Sequence, residues 1–237
     1  MRRVHVVAAL LVVSCTSSAT TTTSPPVATT VATPLTSAPT TTTTVPARAT
    51  TSTVPVELDL PDGWLLLDHS AGGFLIGVPP GWEEVDMRAG DFEAIAEGLG
   101  EQSSIADVLR SQSALLETAE LFAFDATATG FATNMNILEF PAAGLTVEDL
   151  ALGLPAQLAV VGATVETVDV VMVGGAEAVR IRYSLPGEQV GLLNDLAGGA
   201  FYVVVDGRGW AITYSSEDPG RVSGEFEAIA ATFVPVR

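Results

Sequence analysis

This chain has one cysteine, two histidines and no lysine, and each scarcity removes a class of chemistry. A single thiol, Cys15, admits no internal disulfide, so the fold must rest on packing alone. Only one histidine, His69, lies beyond the N-terminal segment, which argues against a zinc site and leaves no Cys–His nucleophile pair. No Gly-x-Ser-x-Gly elbow, phosphate-cradling glycine loop or dinucleotide fingerprint occurs. His69 stands among serine and glycine and reads as a solvated loop residue, not as a general base. Positive charge is scarce as well. From Glu57 onward seven arginines face all 28 acidic residues, a net charge of −21. Such a surface repels nucleic acid and anionic membranes, so the expected ligand is apolar or cationic, or is a protein.

What the chain does have begins at its N-terminus. Arg2 and Arg3 precede an apolar run, Val4 to Val13, and Ser14 then precedes Cys15. That is the order of an export signal. The apolar run is about ten residues, well short of the roughly 20 needed to cross a bilayer as a helix. Val12-Val13-Ser14-Cys15 resembles the lipobox of bacterial lipoproteins. The resemblance implies removal of residues 1–14, lipidation of Cys15 (diacylglycerol on the thiol, acylation of the new amino terminus), and tethering to the outer face of the cell membrane. Two or three acyl chains anchor stably where one does not.

Residues 16–55 contain 17 Thr, 5 Ser and 6 Pro, with Arg48 as the only charged side chain. A segment so poor in apolar bulk is expected to be a disordered, extended tether. Fully extended it reaches on the order of 120 Å. Residues 56–237 are then expected to form a single domain.

Within that domain the spacing predicts strands over Phe74–Val78, Glu120–Ala126 and Thr133–Phe140. Helices are expected over Phe92–Leu99 and Ile105–Thr118, and from Thr146 to about Val160. There Thr146 is the N-cap, Asp149 completes a capping box, and Pro155 is expected to kink the helix. Gly174-Gly175 and Asp206-Gly207 read as hairpin turns, the first joining Thr164–Val173 to Glu177–Ser184, the second joining Ala200–Val205 to Gly209–Ser215. Gly72-Gly73 and Gly198-Gly199 read as turns. A last helix is expected over Val222–Ala231, then a short strand, Thr232–Val236. Hairpins interleaved with helices indicate α+β, an antiparallel β-sheet sandwiched between helices.

Several segments carry a family resemblance: Phe74 to Trp82 (FLIGVPPGW), Ala132 to Ile137 (ATNMNI), Gly174 to Arg180 (GGAEAVR), Tyr202 to Tyr214, and Phe226 to Phe233 (FEAIAATF). In that order they resemble the PsbP/Mog1-like domain, including its actinobacterial cell-envelope lipoprotein branch, over most of residues 62–236. The resemblance implies an antiparallel sheet between helix layers and members that bind, chaperone or assemble without catalysis.

No cofactor or metal is expected. Asn134 and Asn136 alternate on one strand and so share a face; with Trp82 and Trp210 they form the candidate binding face. Core or pocket lining is the default for the tryptophans. The preferred function is a non-enzymatic, membrane-tethered binding or assembly lipoprotein acting on an envelope protein or a small ligand. Two alternatives stand beside it. One is an envelope hydrolase using carboxylates such as Glu83 and Asp86, for which Glu148-Asp149 and Glu217-Asp218 are further pairs. The other is a lipid carrier with an apolar cavity.

Overall fold

The computed structural model describes residues 58–85, 118–128, 133–190 and 194–236, which form ten strands, four α-helices and a short 3-10 helix, Ser70–Gly72. In chain order these are β1 (Leu65–His69), β2 (Phe74–Val78), β3 (Trp82–Glu84), β4 (Ala119–Asp125) and β5 (Asn134–Pro141). Helix α1 (Val147–Val160) leads to β6 (Thr164–Val173) and β7 (Ala176–Leu185), and α2 (Gly187–Val190) to β8 (Leu196–Val205) and β9 (Arg208–Ser216). The chain closes with α3 (Pro219–Ser223), α4 (Glu225–Ala231) and β10 (Val234–Pro235). Cys15, the tether and the helices expected within 92–117 lie outside the described residues.

Turn chemistry sets out the main sheet. Gly174 and Gly175, and then Asp206 and Gly207, take positive φ at both central positions, the geometry that matches the twist of two-residue hairpins. These turns fix β6–β7 and β8–β9. A seven-stranded antiparallel sheet results, in the order β3-β4-β5-β9-β8-β7-β6.

One face of this sheet packs under α1. Thr146 Oγ1 accepts from the Asp149 N–H at 3.2 Å while Asp149 Oδ2 accepts from the Thr146 N–H at 3.2 Å, so the capping box forms as the sequence reads. Val147, Leu150, Leu154 and Leu158, at helical spacing, turn inward onto Val179, Ile181, Tyr183 and Tyr202. The helix runs as one element through Pro155.

The other face is covered by α3 and α4 and by a second sheet, three strands in the order β1-β2-β10. Phe74, Ile76 and Val78 of β2 and Phe226, Ile229 and Phe233 meet Met135, Ile137, Phe201, Trp210 and Ile212 in a second core. The α+β class read from the sequence is the observed one, with a small sheet added to this layer.

Three local expectations change. The last helix is two: α3 starts behind Asp218, which accepts from the Gly220 N–H at 2.8 Å, and Gly224 separates it from α4, which begins at Glu225. Gly198 and Gly199 are not a turn; they lie inside β8. A Cβ at Gly198 would overlap the Tyr183 ring, so the missing side chain is what lets that ring lie across the strand. His69, read as a solvated loop residue, ends β1; its ring stacks on Phe74 at 5.2 Å and its Nε2 lies 2.9 Å from Glu84 Oε1.

Candidate binding site

Register across the main sheet decides which polar groups meet. On the face toward α1, strand pairing places Phe124, Asn134, Ser215, Gly198 and Tyr183 in one transverse row. The next row runs Phe122, Asn136, Thr213, Ala200, Ile181. Directly opposed side chains in such pairs stand about 5 Å apart at Cβ. Four neutral polar side chains, Asn134, Asn136, Thr213 and Ser215, therefore form a block on the central strands β5 and β9. All four are buried, Asn136 at 1% and Asn134 at 3% exposure. Phe122 and Phe124 flank the block on one side. On the other, Gly198 lets the Tyr183 ring extend over β8 toward it. Burial, with the nearby Tyr202 adding to it, pushes the Tyr183 phenol well above its usual range, so it stays a neutral hydroxyl.

One atom in this block is unsatisfied. Among the described residues Asn136 Oδ1 is buried without a hydrogen-bond partner. A buried carbonyl in that state costs about 1–3 kcal/mol relative to a satisfied one, and native proteins rarely retain one without a reason. The block offers amide and hydroxyl groups and no carboxylate, imidazole or thiol. Its chemistry is recognition by hydrogen bonds, not proton transfer.

The two tryptophans grouped with these asparagines stand elsewhere. Trp82 and Trp210 belong to the core on the opposite face, so the sheet separates them from Asn134 and Asn136 and the four do not share a surface. Both indoles are used internally. Trp210 Nε1 donates to the Gly72 carbonyl at 3.2 Å, and the Arg208 guanidinium lies 5.0 Å above its ring while pairing with Glu139. Trp82 Nε1 donates to Glu225 Oε1 at 3.2 Å.

That Glu225 carboxylate is the hub of a polar node the sequence reading missed. It also accepts from the Tyr214 hydroxyl at 3.2 Å and from Arg221 at 2.6 Å. Arg221 reaches on to Asp125 at 2.8 Å and to the Thr133 hydroxyl at 3.1 Å. Burial opposes the Asp125 charge, but hydrogen bonds from Thr127 and Arg221 outweigh it and hold its carboxyl below the ordinary value. Arg221 bridges both carboxylates, and the neutral donors Trp82 and Tyr214 add to Glu225, so the node fastens α3 and α4 to the sheet. Arg180 and Arg182 do the same further along, sharing Glu227 of α4 at 3.1 and 2.6 Å.

The carboxylates considered for hydrolysis are also engaged or apart. Asp149 and Asp218 cap helices, Glu83 is exposed on β3, and Asp86 lies outside the described residues. Among the described residues no group of three metal-ligating side chains comes together. The signal that could have revealed the block was the paired alternation Asn134-Met135-Asn136 and Thr213-Tyr214-Ser215, two strands each with a polar face. Only the first was read.

No family model matches the sequence, and no curated protein matches it. Solved structures do. Cyanobacterial PsbP from Synechocystis sp. PCC 6803 is similar at 12% identity and a TM-score of 0.47, over 77% of this chain and 98% of that one. The Saccharomyces cerevisiae Ran-binding protein Mog1p is similar at 10% identity and a TM-score of 0.44, over 73% and 95% of the two chains. Mycobacterium tuberculosis LpqN, involved in cell envelope biogenesis, is similar at 9% identity and a TM-score of 0.41, over 76% and 83%. A Bacteroides thetaiotaomicron protein matches at 11% identity and a TM-score of 0.44 over 74% of this chain, which spans 48% of its length. The α+β architecture is the one that the resemblance in the sequence implies.

Proposed function

We propose that this chain is an extracytoplasmic lipoprotein, tethered to the outer face of the cell membrane through lipid on Cys15, whose α+β domain binds without catalysing. The observation that supports binding is the buried block of Asn134, Asn136, Thr213 and Ser215 with its unpartnered Asn136 carbonyl. A neutral hydrogen-bonding set inside an apolar surround fixes orientation and gives specificity, the usual division of labour in a ligand site. The block holds no carboxylate, so it suits an uncharged ligand or peptide group better than the cation that overall charge suggests. The Val12-Val13-Ser14-Cys15 motif and the Thr/Ser/Pro-rich segment support the tether.

Two measurements test this. Cells expressing the full chain incorporate a labelled fatty acid into it, and Cys15→Ala abolishes the label; a labelled Cys15→Ala chain refutes the anchor. Titration of the full chain with neutral polyols and amides (glycerol, myo-inositol, N-acetylglucosamine), followed by NMR, shifts the Asn134, Asn136 and Ser215 resonances first. Shifts confined to other surfaces refute the site.

A further inference from the structure

Strand β6 is the last strand of the main sheet, and among the described residues nothing pairs with its outer edge. Such an edge invites strand addition, and proteins ordinarily blunt it with lysine, proline or a bulge. β6 contains neither lysine nor proline. A bulge at Glu166 interrupts its start, but from Thr167 to Val173 it is regular, each residue paired in turn with Arg182 to Ala176 of β7. One charge lies in that run, Asp169, and its carboxylate is held by Arg180 at 2.8 Å. Val170 and Met172, on the face toward α1, are 51% and 63% exposed. Charge nearby is of one sign. Between the start of α1 and the ends of β7 and β8 lies an open cleft of about 480 Å³, with Ala176, Val204 and Val205 in its floor and Glu148, Glu177 and Asp206 exposed at its rim. Glu177 stands directly opposite Met172, so the cleft opens beside the exposed part of the edge. The four described arginines are all paired elsewhere: Arg180 and Arg182 with Glu227, Arg208 with Glu139, and Arg221 with Asp125 and Glu225. None of them answers Glu148 or Glu177.

We infer that β6 takes up an extended, basic segment of another protein as an added strand of the main sheet. The free edge supplies main-chain hydrogen bonds, which select an extended backbone. The carboxylates select its side chains. An added strand lies two strand spacings from β7, about 10 Å. An arginine on the α1 side lays its apolar stem over Val170 or Met172 and carries its guanidinium across that distance toward Glu177 and Glu148. The residues between point to the opposite face, beside Thr167 and Val171, where apolar side chains fit. A second copy of this chain lacks that complementarity, since its β6 brings Glu166, Asp169 and the same acidic rim with no unpaired arginine among the described residues. One added strand buries well under the ~800 Å² per partner typical of stable complexes, so the association is weak and reversible. This edge is divided from the Asn136 block by β7 and β8, and the inference stands whether or not that block binds.

The test titrates the full chain with three blocked octapeptides, followed by NMR. One alternates valine with arginine, the second valine with glutamate, and the third is the first with a central valine replaced by proline, which keeps the charge and breaks the pairing. The first peptide shifts the Thr167 to Val173 resonances before all others, at concentrations below about 1 mM, and slows amide exchange along β6. The other two bind at least tenfold more weakly. Val170→Lys, and separately Glu148→Gln with Glu177→Gln, weaken the first peptide at least fivefold with the far-ultraviolet spectrum unchanged. No binding by about 1 mM overturns the inference, as do shifts confined to other surfaces. Equal binding of the proline peptide removes the strand pairing, and equal binding of the glutamate peptide removes the basic partner; either overturns it. Binding indifferent to Val170→Lys, or to the paired glutamine substitutions, does the same. Self-association of the chain that Val170→Lys abolishes also overturns it, by assigning the edge to a second copy.

Discussion

Replacing Asn136 by leucine should stabilise this protein, although the residue sits at the centre of the candidate site. The side chain is 1% exposed and its Oδ1 has no partner. Removing an unsatisfied buried carbonyl recovers about 1–3 kcal/mol. Leucine also suits a central strand better than asparagine, by a few tenths of a kcal/mol. Against this stands the extra bulk between Phe122 and Thr213, its neighbours in the row, where overpacking costs about 1 kcal/mol or more. The net expectation is a gain of about 1–2 kcal/mol. For a domain of this size each kcal/mol moves Tm by roughly 2–4 °C, so Tm rises by about 2–8 °C. Urea unfolding followed by circular dichroism should show a higher midpoint with the slope unchanged. Asn136→Leu should at the same time lose the resonance shifts seen with neutral polyols and amides, trading binding for stability. A loss of 1 kcal/mol or more on Asn136→Leu and equally on the smaller Asn136→Val, which adds no bulk, would refute the reasoning, because overpacking could not then account for it.

Three other predictions concern the supporting structure. Arg221→Met leaves Asp125 and Glu225 without their cation and should cost about 2–4 kcal/mol by urea unfolding; a loss under 0.5 kcal/mol would show that the node is not what fastens α3 and α4. Because the folded Asp125 carboxyl titrates below its unfolded value of 3.8, its contribution is complete above that pH and fades as pH falls through the folded value. Asp125→Asn should therefore destabilise at pH 6, with a loss that shrinks as pH falls below 3.8, and a loss that does not change with pH would contradict the assignment. Gly198→Ala drives a methyl into the Tyr183 ring and should cost about 1–3 kcal/mol, relieved by Tyr183→Leu in the double variant; additive losses would exclude that contact.

Local signals in the sequence located the elements well where one short segment decides the outcome. Phe74–Val78 and Thr164–Val173 are strands over those residues, and Thr146 with Asp149 caps α1. The hairpins at Gly174-Gly175 and Asp206-Gly207 form because backbone conformation is settled within two residues. Misreadings arose where a distant partner decides. Gly198-Gly199 carries a turn signature, yet Tyr183 and Phe226 need the space those glycines leave in a strand. Asn134 and Asn136 share a face, as alternation requires, but alternation does not say that Trp82 and Trp210 lie across the sheet, which depends on which strands pair. The Glu225 node joins residues from β3, β4, β9 and the helix pair, and no spacing along the chain announces it. The small sheet likewise unites the two ends of the domain, which no single segment encodes.

That last arrangement bears on how the domain can form as it emerges N-terminus first. β2 is held on one side by β1, almost its neighbour in the chain, and on the other by β10, close to the C-terminus. Phe233, wholly buried against Phe74 and Trp210, arrives later still than α4. Among the described residues the apolar cluster beneath α1 includes none after Ala211, whereas the cluster beneath the small sheet includes Phe226, Ile229 and Phe233. The half of the domain beneath the small sheet therefore completes its core only once α4, Phe233 and β10 are in place.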